Sequence, residues 1–310
     1  MNTKIIAFYL PQYHPFKENN EWWGAGFTEW TNVTTAQPLF KGHYQPKIPK
    51  DLGFYDLRLP ESREEQIKLA QEAGVYGFCY WHYWFGKNKE LMERPFNEVV
   101  SSGVPDFPFC IGWANESWLN KQWNADGTLK GGKLLIEQKY EGLEDYKAHF
   151  NKLLPAFKDK RYILIDNCPL VFIHRAILLP TEIITIWNQM AQEHGFSGIY
   201  FVGRLTYAEY MENKFNLLLN KGFNAITIGR LGNSILKESK IKRLTRHLIG
   251  YLKYNGCTRI ASYDKEIQYY SEDIDKREDV FPAIYPNWDH SPRSKKTGLI
   301  IKNSTPQKFY

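Results

Sequence analysis

The stretch Phe107-Pro108-Phe109-Cys110-Ile111-Gly112-Trp113-Ala114-Asn115-Glu116-Ser117-Trp118 decides the fold. A largely apolar run ends abruptly in an amide and an acid flanked by two tryptophans. A strand that is apolar at nearly every position is buried on both faces, the habit of parallel sheets covered by helices. Runs of the same kind occur at residues 5–10, 77–84, 170–174, 199–203, 223–228, 280–285 and 299–301. Eight strands are therefore expected.

Helical patterns fill the intervals. Ser62-Arg63-Glu64-Glu65 has capping-box spacing and predicts a helix to about Ala73, with Gly74 beyond its end. Tyr146, Phe150, Leu153, Leu154 and Phe157 form one apolar stripe, and Ile183, Ile184, Trp187, Met190 and Ala191 another. A third helix is expected over 211–219, and a basic, amphipathic fourth over 236–254. Strands alternating with helices give the α/β class, and eight strands favour a closed TIM-type (β/α)8 barrel over an open sheet. No GxGxxG or GxxxxGK[ST] follows any strand, which argues against a nucleotide-binding open sheet. Residues 11–59 depart from the pattern as a long excursion with little helical periodicity. The interval between the last two strands is short for a helix. Thr305-Pro306 should open a final helix just where the sequence stops at Tyr310, so the expectation is either a truncated C-terminal helix or an incompletely closed barrel. No linker or repeat interrupts residues 1–310, which read as a single domain.

The net charge is +6. Much of the positive charge lies in Lys237, Lys240, Lys242, Arg243, Arg246, Lys253 and Arg259. No nucleic-acid motif accompanies these residues, so no nucleic-acid partner is expected. They read as a solvated helix face, with peripheral contact to the anionic inner membrane surface or attraction of a phosphate-bearing substrate as the functional alternatives. No signal-peptide core or membrane span is present, and a cytoplasmic location is expected. Cys79, Cys110, Cys168 and Cys257 show no CxxC spacing and read as free thiols. With no HExxH or His-rich cluster, neither a metal nor another cofactor is expected. The Asp273-Ile274-Asp275 string has the DxD spacing of metal- and nucleotide-sugar-binding transferases, but a three-residue match is too short to carry weight. Aromatic residues make up 16% of the chain, with ten Trp and twenty Tyr. Flat apolar faces with polar tips suit a cleft that holds sugar rings.

Active sites of barrels sit at the C-terminal ends of the strands. The first strand ends in Tyr9, Gln12 and His14, and its loop carries Glu29, Trp30 and Asn32. The second ends in Tyr80-Trp81-His82-Tyr83-Trp84, where alternation puts Trp81 and Tyr83 on one face and His82 and Trp84 on the other. His82 and Trp84 are taken as glycan contacts. The third ends at Glu116, between Trp113 and Trp118. An aromatic wall would raise the carboxyl pKa by desolvation, as a glycosidic general acid requires, and Asn115 could bind a ring hydroxyl. The seventh ends in Tyr285, Trp288, Asp289 and Arg293. There Asp289 is a second carboxylate or a positioning group for Arg293.

These strings resemble a known family. Phe8-Tyr9-Leu10-Pro11-Gln12-Tyr13-His14-Pro15, Glu21-Trp22-Trp23-Gly24, Gly26-Phe27-Thr28-Glu29-Trp30-Thr31-Asn32-Val33, Trp113-Ala114-Asn115-Glu116 and Trp288-Asp289 are similar to the WbsX family, also described as a glycoside hydrolase family 99-like domain. The resemblance covers nearly the whole chain. It implies a (β/α)8 barrel related to endo-acting α-mannoside hydrolases, which retain configuration with help from the substrate's own 2-hydroxyl. It also implies a setting in bacterial O-antigen, capsule or other surface-polysaccharide synthesis. Two departures flank the acids and bear on substrate choice. Ser117 stands where the family usually has Asn, and His290-Ser291 stands where it usually has Asn-Thr. The expectation is a glycosyltransferase acting on an oligosaccharide or polysaccharide with a nucleotide-sugar or lipid-linked donor. Glu116 would be the acid or acid/base, with Asp289, or failing that Glu29, as its partner. The alternatives are an endo-acting retaining hydrolase that trims the polymer and a non-catalytic glycan-binding barrel.

Overall fold

A computed structural model describes residues 3–123 and 129–309. The chain divides into two compact units. The first comprises Met1–Thr28, Pro49–Trp118 and Leu134–Ile226, and the second Glu29–Ile48, Leu119–Lys133 and Thr227–Tyr310.

The main sheet follows the apolar runs. Its path is β1 (Ile6–Tyr9), β2 (Gly77–Trp84), β3 (Phe109–Trp113), β4 (Cys168–Ile173), β5 (Tyr200–Thr206) and β6 (Ala225–Gly229), adjacent in that order. The pairings from β1 through β5 are parallel. The two-residue antiparallel strands Glu90–Leu91 and Leu164–Ile165 lie against β2 and β4. A separate parallel pair joins β7 (Ile260–Ser262) to β8 (Ile300–Lys302). The parallel α/β class is as expected. Closure into one eight-stranded barrel is not seen, because the strands fall into these separate sheets among the described residues. The run at 280–285 is not a strand. Pro282 and Pro286 lack the N–H that a ladder needs, and the Phe281 carbonyl instead accepts from the Thr227 hydroxyl. The strand Ile260–Ser262 had too few apolar residues to be read from sequence.

Helices cover one face of the main sheet, and register shows which. Tyr9, Tyr80, His82, Trp84 and Trp113 share a parity. The Tyr9 hydroxyl donates to Gln66 at 2.6 Å on α1 (Pro60–Glu72). Tyr80 packs on Phe96 of α2 (Arg94–Ser102). Trp84 stacks on His149 of α3 (Leu143–Phe157) at 4.5 Å and 2°, and Trp113 stacks on Trp187 of α4 (Thr181–Glu193). Trp113 and Trp187 are fully buried. Each removes about 200 Å² from water, of order 5 kcal/mol before entropy is counted. The opposite parity holds Phe8, Trp81 and Phe172, which pack on one another.

Helix ends refine the sequence reading. α1 begins at Pro60, where the missing N–H costs nothing, rather than at a capping box on Ser62. The third expected helix breaks at Asn213 (φ 59°) into Tyr207–Met211 and α5 (Lys214–Lys221). The basic helix α6 runs Lys240–Lys253, with the Ser239 hydroxyl accepting from the Lys242 N–H. The excursion 11–59 holds the short helices Lys17–Trp23 and Glu29–Thr34, and Pro306–Phe309 is helical.

Candidate functional site

In the first unit, the C-terminal ends of β3, β4 and β5 carry a cluster of charge. Glu116 lies three residues beyond β3, half exposed, with Oε1 3.5 Å from His174 Nε2 just past β4. That separation is an ion-pair distance rather than a short hydrogen bond. Arg175 follows His174, and its Nη2 lies 3.9 Å from Glu209 Oε1. Arg204, on β5, adds positive potential. Contact with His174 holds the Glu116 carboxyl below its ordinary range, aided by Arg175 and Arg204, and outweighs the upward push of desolvation. This corrects the expectation of a raised, protonated Glu116. Trp113 packs on Trp187 and Trp118 on Trp22, and the basic neighbours of Glu116 decide its charge.

Asn115 organises the site from beneath. It is fully buried. Its Nδ2 donates to the Tyr140 hydroxyl at 2.8 Å and the Arg175 carbonyl at 3.1 Å, while its Oδ1 accepts from the Arg175 N–H at 2.7 Å. These bonds tie the end of β3 to the turn after β4, where His174 sits. A sugar hydroxyl has no access to Asn115, so the residue positions the site.

Beside the charge cluster lies an aromatic platform. Phe8 is 49% exposed, unusual for a phenylalanine on a sheet, and stacks on Trp81 at 4.8 Å and 11°. Trp81 meets the His174 ring edge-on at 5.4 Å. An exposed flat ring beside an ionised carboxylate suits a pyranose, whose C–H face stacks while its hydroxyls meet charge.

The other sequence candidates lie elsewhere. Tyr9, His82, Trp84 and Trp113 face the helices and are buried, which corrects their assignment as glycan contacts. Alternation separated the two faces of β2 but could not say which one meets α3. Trp84 Nε1 donates to Asp145, and Trp113 Nε1 to the Trp84 carbonyl. His82 Nε2 lies 2.7 Å from His149 Nε2, and burial pushes the His82 pKa down to about 3. His14 is buried with Nδ1 2.7 Å from the Pro11 carbonyl, and Gln12 is half-buried. Trp118 packs against Trp22, Tyr83 and Phe85.

In the second unit, Asp289 is saturated and Glu29 is held in an ion pair. Asp289 Oδ2 accepts from Gln45 Nε2 at 2.7 Å and lies 3.0 Å from His43 Nε2 and 3.6 Å from Lys47 Nζ. Its Oδ1 accepts from the Ser291 hydroxyl and N–H at 2.6 and 2.9 Å. Burial would raise its pKa, but the Ser291 and His43 bonds, with Lys47, hold it low. Glu29 is gripped by Arg293 through Nε at 2.9 Å and Nη2 at 2.8 Å, and Asn32 Nδ2 donates to it at 3.3 Å. Trp30 is half-buried on the same short helix as Glu29. Tyr285 packs on Tyr270 and Trp288, and Trp288 is 39% exposed. Asp275 of the DxD string pairs with buried Arg230 at 2.9 Å.

Sequence reasoning passed over His174, Arg175, Arg204 and Glu209. A signal for them existed. The rule that chemistry sits at strand ends, extended to the fourth and fifth strands, reaches His174-Arg175 and Arg204.

Comparison with known proteins sharpens the picture. The family model described as glycosyltransferase WbsX matches residues 5–310. Two proteins called uncharacterized protein WxcX, from two strains of Xanthomonas campestris pv. campestris, are 33% and 34% identical over 98% of this chain. The chain spans 41% of the length of these curated relatives. Among solved structures, a glycoside hydrolase-like protein is similar with a TM-score of 0.53 at 13% identity, over 99% of this chain and 77% of that one. A family 99 endo-α-mannosidase from Bacteroides thetaiotaomicron aligns with a TM-score of 0.43 at 12% identity, over 72% of this chain and 58% of that one. The chain belongs to the WbsX glycosyltransferase family, among the carbohydrate-active enzymes.

Proposed function

We propose that this chain is the catalytic domain of a glycosyltransferase that builds a bacterial surface polysaccharide such as O-antigen or capsule, with Glu116 as its reacting carboxylate. The observation that supports this most is the ionised, half-exposed Glu116 at a strand end, 3.5 Å from His174 and beside the Phe8–Trp81 platform. An ionised carboxylate serves as a base. It takes the proton from an attacking hydroxyl as the new glycosidic bond forms and the donor's bond from anomeric carbon to phosphate oxygen breaks, the phosphate leaving with the electron pair; Arg175 and Arg204 stabilise the carboxylate's negative charge until then. Phe8 and Trp81 would stack on the sugar. Asp289, already fully bonded, and Glu29, gripped by Arg293, would hold their segments rather than react. The O-antigen setting, the cytoplasmic location, a nucleotide-sugar or lipid-linked donor and a complete (β/α)8 barrel belong to the same proposal.

A second reading is hydrolysis of the polymer by the same carboxylate. The fold likeness to a glycoside hydrolase-like protein favours it. The base role is common to both readings: in transfer a sugar hydroxyl attacks and the donor's phosphate leaves, and in hydrolysis water attacks and a sugar of the polymer leaves as a free hydroxyl. Calorimetric titration with a panel of nucleotide sugars and, in parallel, oligosaccharides tests the choice. Saturable binding of one nucleotide sugar supports transfer. Binding of oligosaccharides alone, with shorter products accumulating over time, overturns it in favour of hydrolysis.

A further inference from the structure

Helix α6 is laid on the protein inside out. Ile241, Leu244, Leu248 and Leu252 recur at helical spacing on one stripe, and they are 79%, 74%, 58% and 79% exposed. Tyr251, 72% exposed, borders the same stripe. An ordinary surface helix turns such a stripe inward. Here the opposite side faces the protein. Gly250 is the helix's buried residue, and a Cβ there would come within 2.9 Å of the Cys257 carbonyl. Arg246, next to it on that side, pairs with Glu238 and donates to the Thr258 carbonyl. The helix therefore touches its own unit through a glycine and an arginine and presents four large aliphatic side chains to solvent. Leaving them in water forgoes the burial that normally holds an amphipathic helix in place.

Charge indicates what covers the stripe. From Ser239 to Arg259 the sequence has six Lys or Arg and no Asp or Glu. Lys240 and His247 border the stripe on one side, and Lys242 and Lys253 on the other. An apolar stripe between two rows of cations matches a bilayer interface. Aliphatic side chains enter the acyl boundary, and the long basic side chains reach up to anionic headgroups. A protein partner or a second copy would supply apolar area, but a second copy of this stripe would also bring its own cations opposite these.

We infer that α6 docks the protein on an anionic membrane surface through Ile241, Leu244, Leu248 and Leu252, with Lys240, Lys242 and Lys253 binding headgroup phosphates. This attachment stands independently of the reaction assigned to Glu116. It would hold the domain at a leaflet where lipid-borne substrates are carried.

The test is vesicle co-sedimentation of the purified chain with phosphatidylcholine alone and with phosphatidylcholine containing phosphatidylglycerol. Binding is expected only to the anionic vesicles and should weaken as salt is raised. L244S/L248S should lose tenfold or more in vesicle affinity, and K242E/K253E should lose about as much, since each cation near the surface contributes roughly fivefold. All four substituted side chains are exposed, and unchanged circular dichroism and thermal midpoint would confirm that both variants fold. No binding to anionic vesicles overturns the inference, as does binding that neither variant weakens. A chain that is dimeric in solution, and that L244S/L248S makes monomeric without any vesicle binding, assigns the stripe to a second copy instead.

Discussion

Glu116 and Asp289 look alike in sequence. Each follows closely on a tryptophan, each was expected at a strand end, and each was read as half of a catalytic pair. Their surroundings are opposite. Asp289 has all its lone-pair directions occupied by His43, Gln45, Lys47 and Ser291, and its side chain is 5% exposed. Glu116 is 49% exposed with one imidazole neighbour at 3.5 Å. Both are ionised, for different reasons. Asp289 is held by hydrogen bonds that outweigh its burial, whereas Glu116 sits in the field of His174, Arg175 and Arg204. A saturated carboxylate stabilises what surrounds it. An open one has lone pairs left for a substrate. The local motif is the same in both, and the number of satisfied acceptor sites separates them.

The largest effect that could break this contrast is on turnover. Glu116→Gln should lower kcat by about 100- to 10,000-fold, the range for loss of a general base, with glycan affinity and thermal midpoint nearly unchanged. Full turnover in that variant would remove Glu116 from the chemistry. Asp289→Ala should do the reverse. Stripping a buried carboxylate from His43, Gln45 and Ser291 should cost about 3 kcal/mol of stability in chemical denaturation. Its low pKa gives the sign with pH. The stabilisation is complete above about pH 4, the unfolded value, and is lost as pH falls through the lower folded value. Asp289→Asn should flatten that acid limb. A stable Asp289→Ala protein with no turnover would make Asp289 the reacting group and invert the comparison.

The six apolar runs of the main sheet were legible because burial on both faces leaves a continuous signature that neighbouring chain cannot disguise. Residues 280–285 were equally apolar and misled, because two prolines outweigh hydrophobicity once a ladder must be built. Parity was the harder matter. His82 stands out in sequence as a polar residue among aromatics, yet α3 supplies His149 to meet it, and that pairing depends on contacts 67 residues apart. His174 ends an apolar run and was hidden by it. The charge on Glu116 was out of reach for a similar reason: the flanking tryptophans are local, but the cations that decide its ionisation arrive from two other strands.

Glu90 is an intermediate case that sharpens the contrast. It pairs with Lys152 at 3.3 Å and lies 3.4 Å from His82 Nδ1, but desolvation outweighs Lys152 and pushes its carboxyl up to about 7. Here burial wins, because the neighbouring imidazole is itself kept neutral. A carboxyl raised in the folded state binds more protons there than in the unfolded chain. Its stabilisation is therefore full below the unfolded value and lost as pH rises through about 7. Stability should fall by about 2–3 kcal/mol over that window, at roughly 1.4 kcal/mol per pKa unit. Denaturation midpoints measured from pH 5 to pH 8 would show it, and Glu90→Gln should remove the slope.

The smallest effect concerns the two faces of β2, one residue apart. Trp81 lies on the face with Phe8 and His174, and His82 lies against α3. Removing an aromatic stacking partner costs about 1 kcal/mol, so Trp81→Ala should weaken glycan binding about fivefold, and Trp81→Phe should recover most of it. His82→Gln should leave glycan affinity unchanged and lower the thermal midpoint, because it disturbs a buried pair that no ligand reaches. Titration of both variants with the same oligosaccharide separates the faces. If His82→Gln weakened binding while Trp81→Ala did not, the glycan would lie on the helix side of the strand, and Glu116 would lose the platform that makes it the candidate.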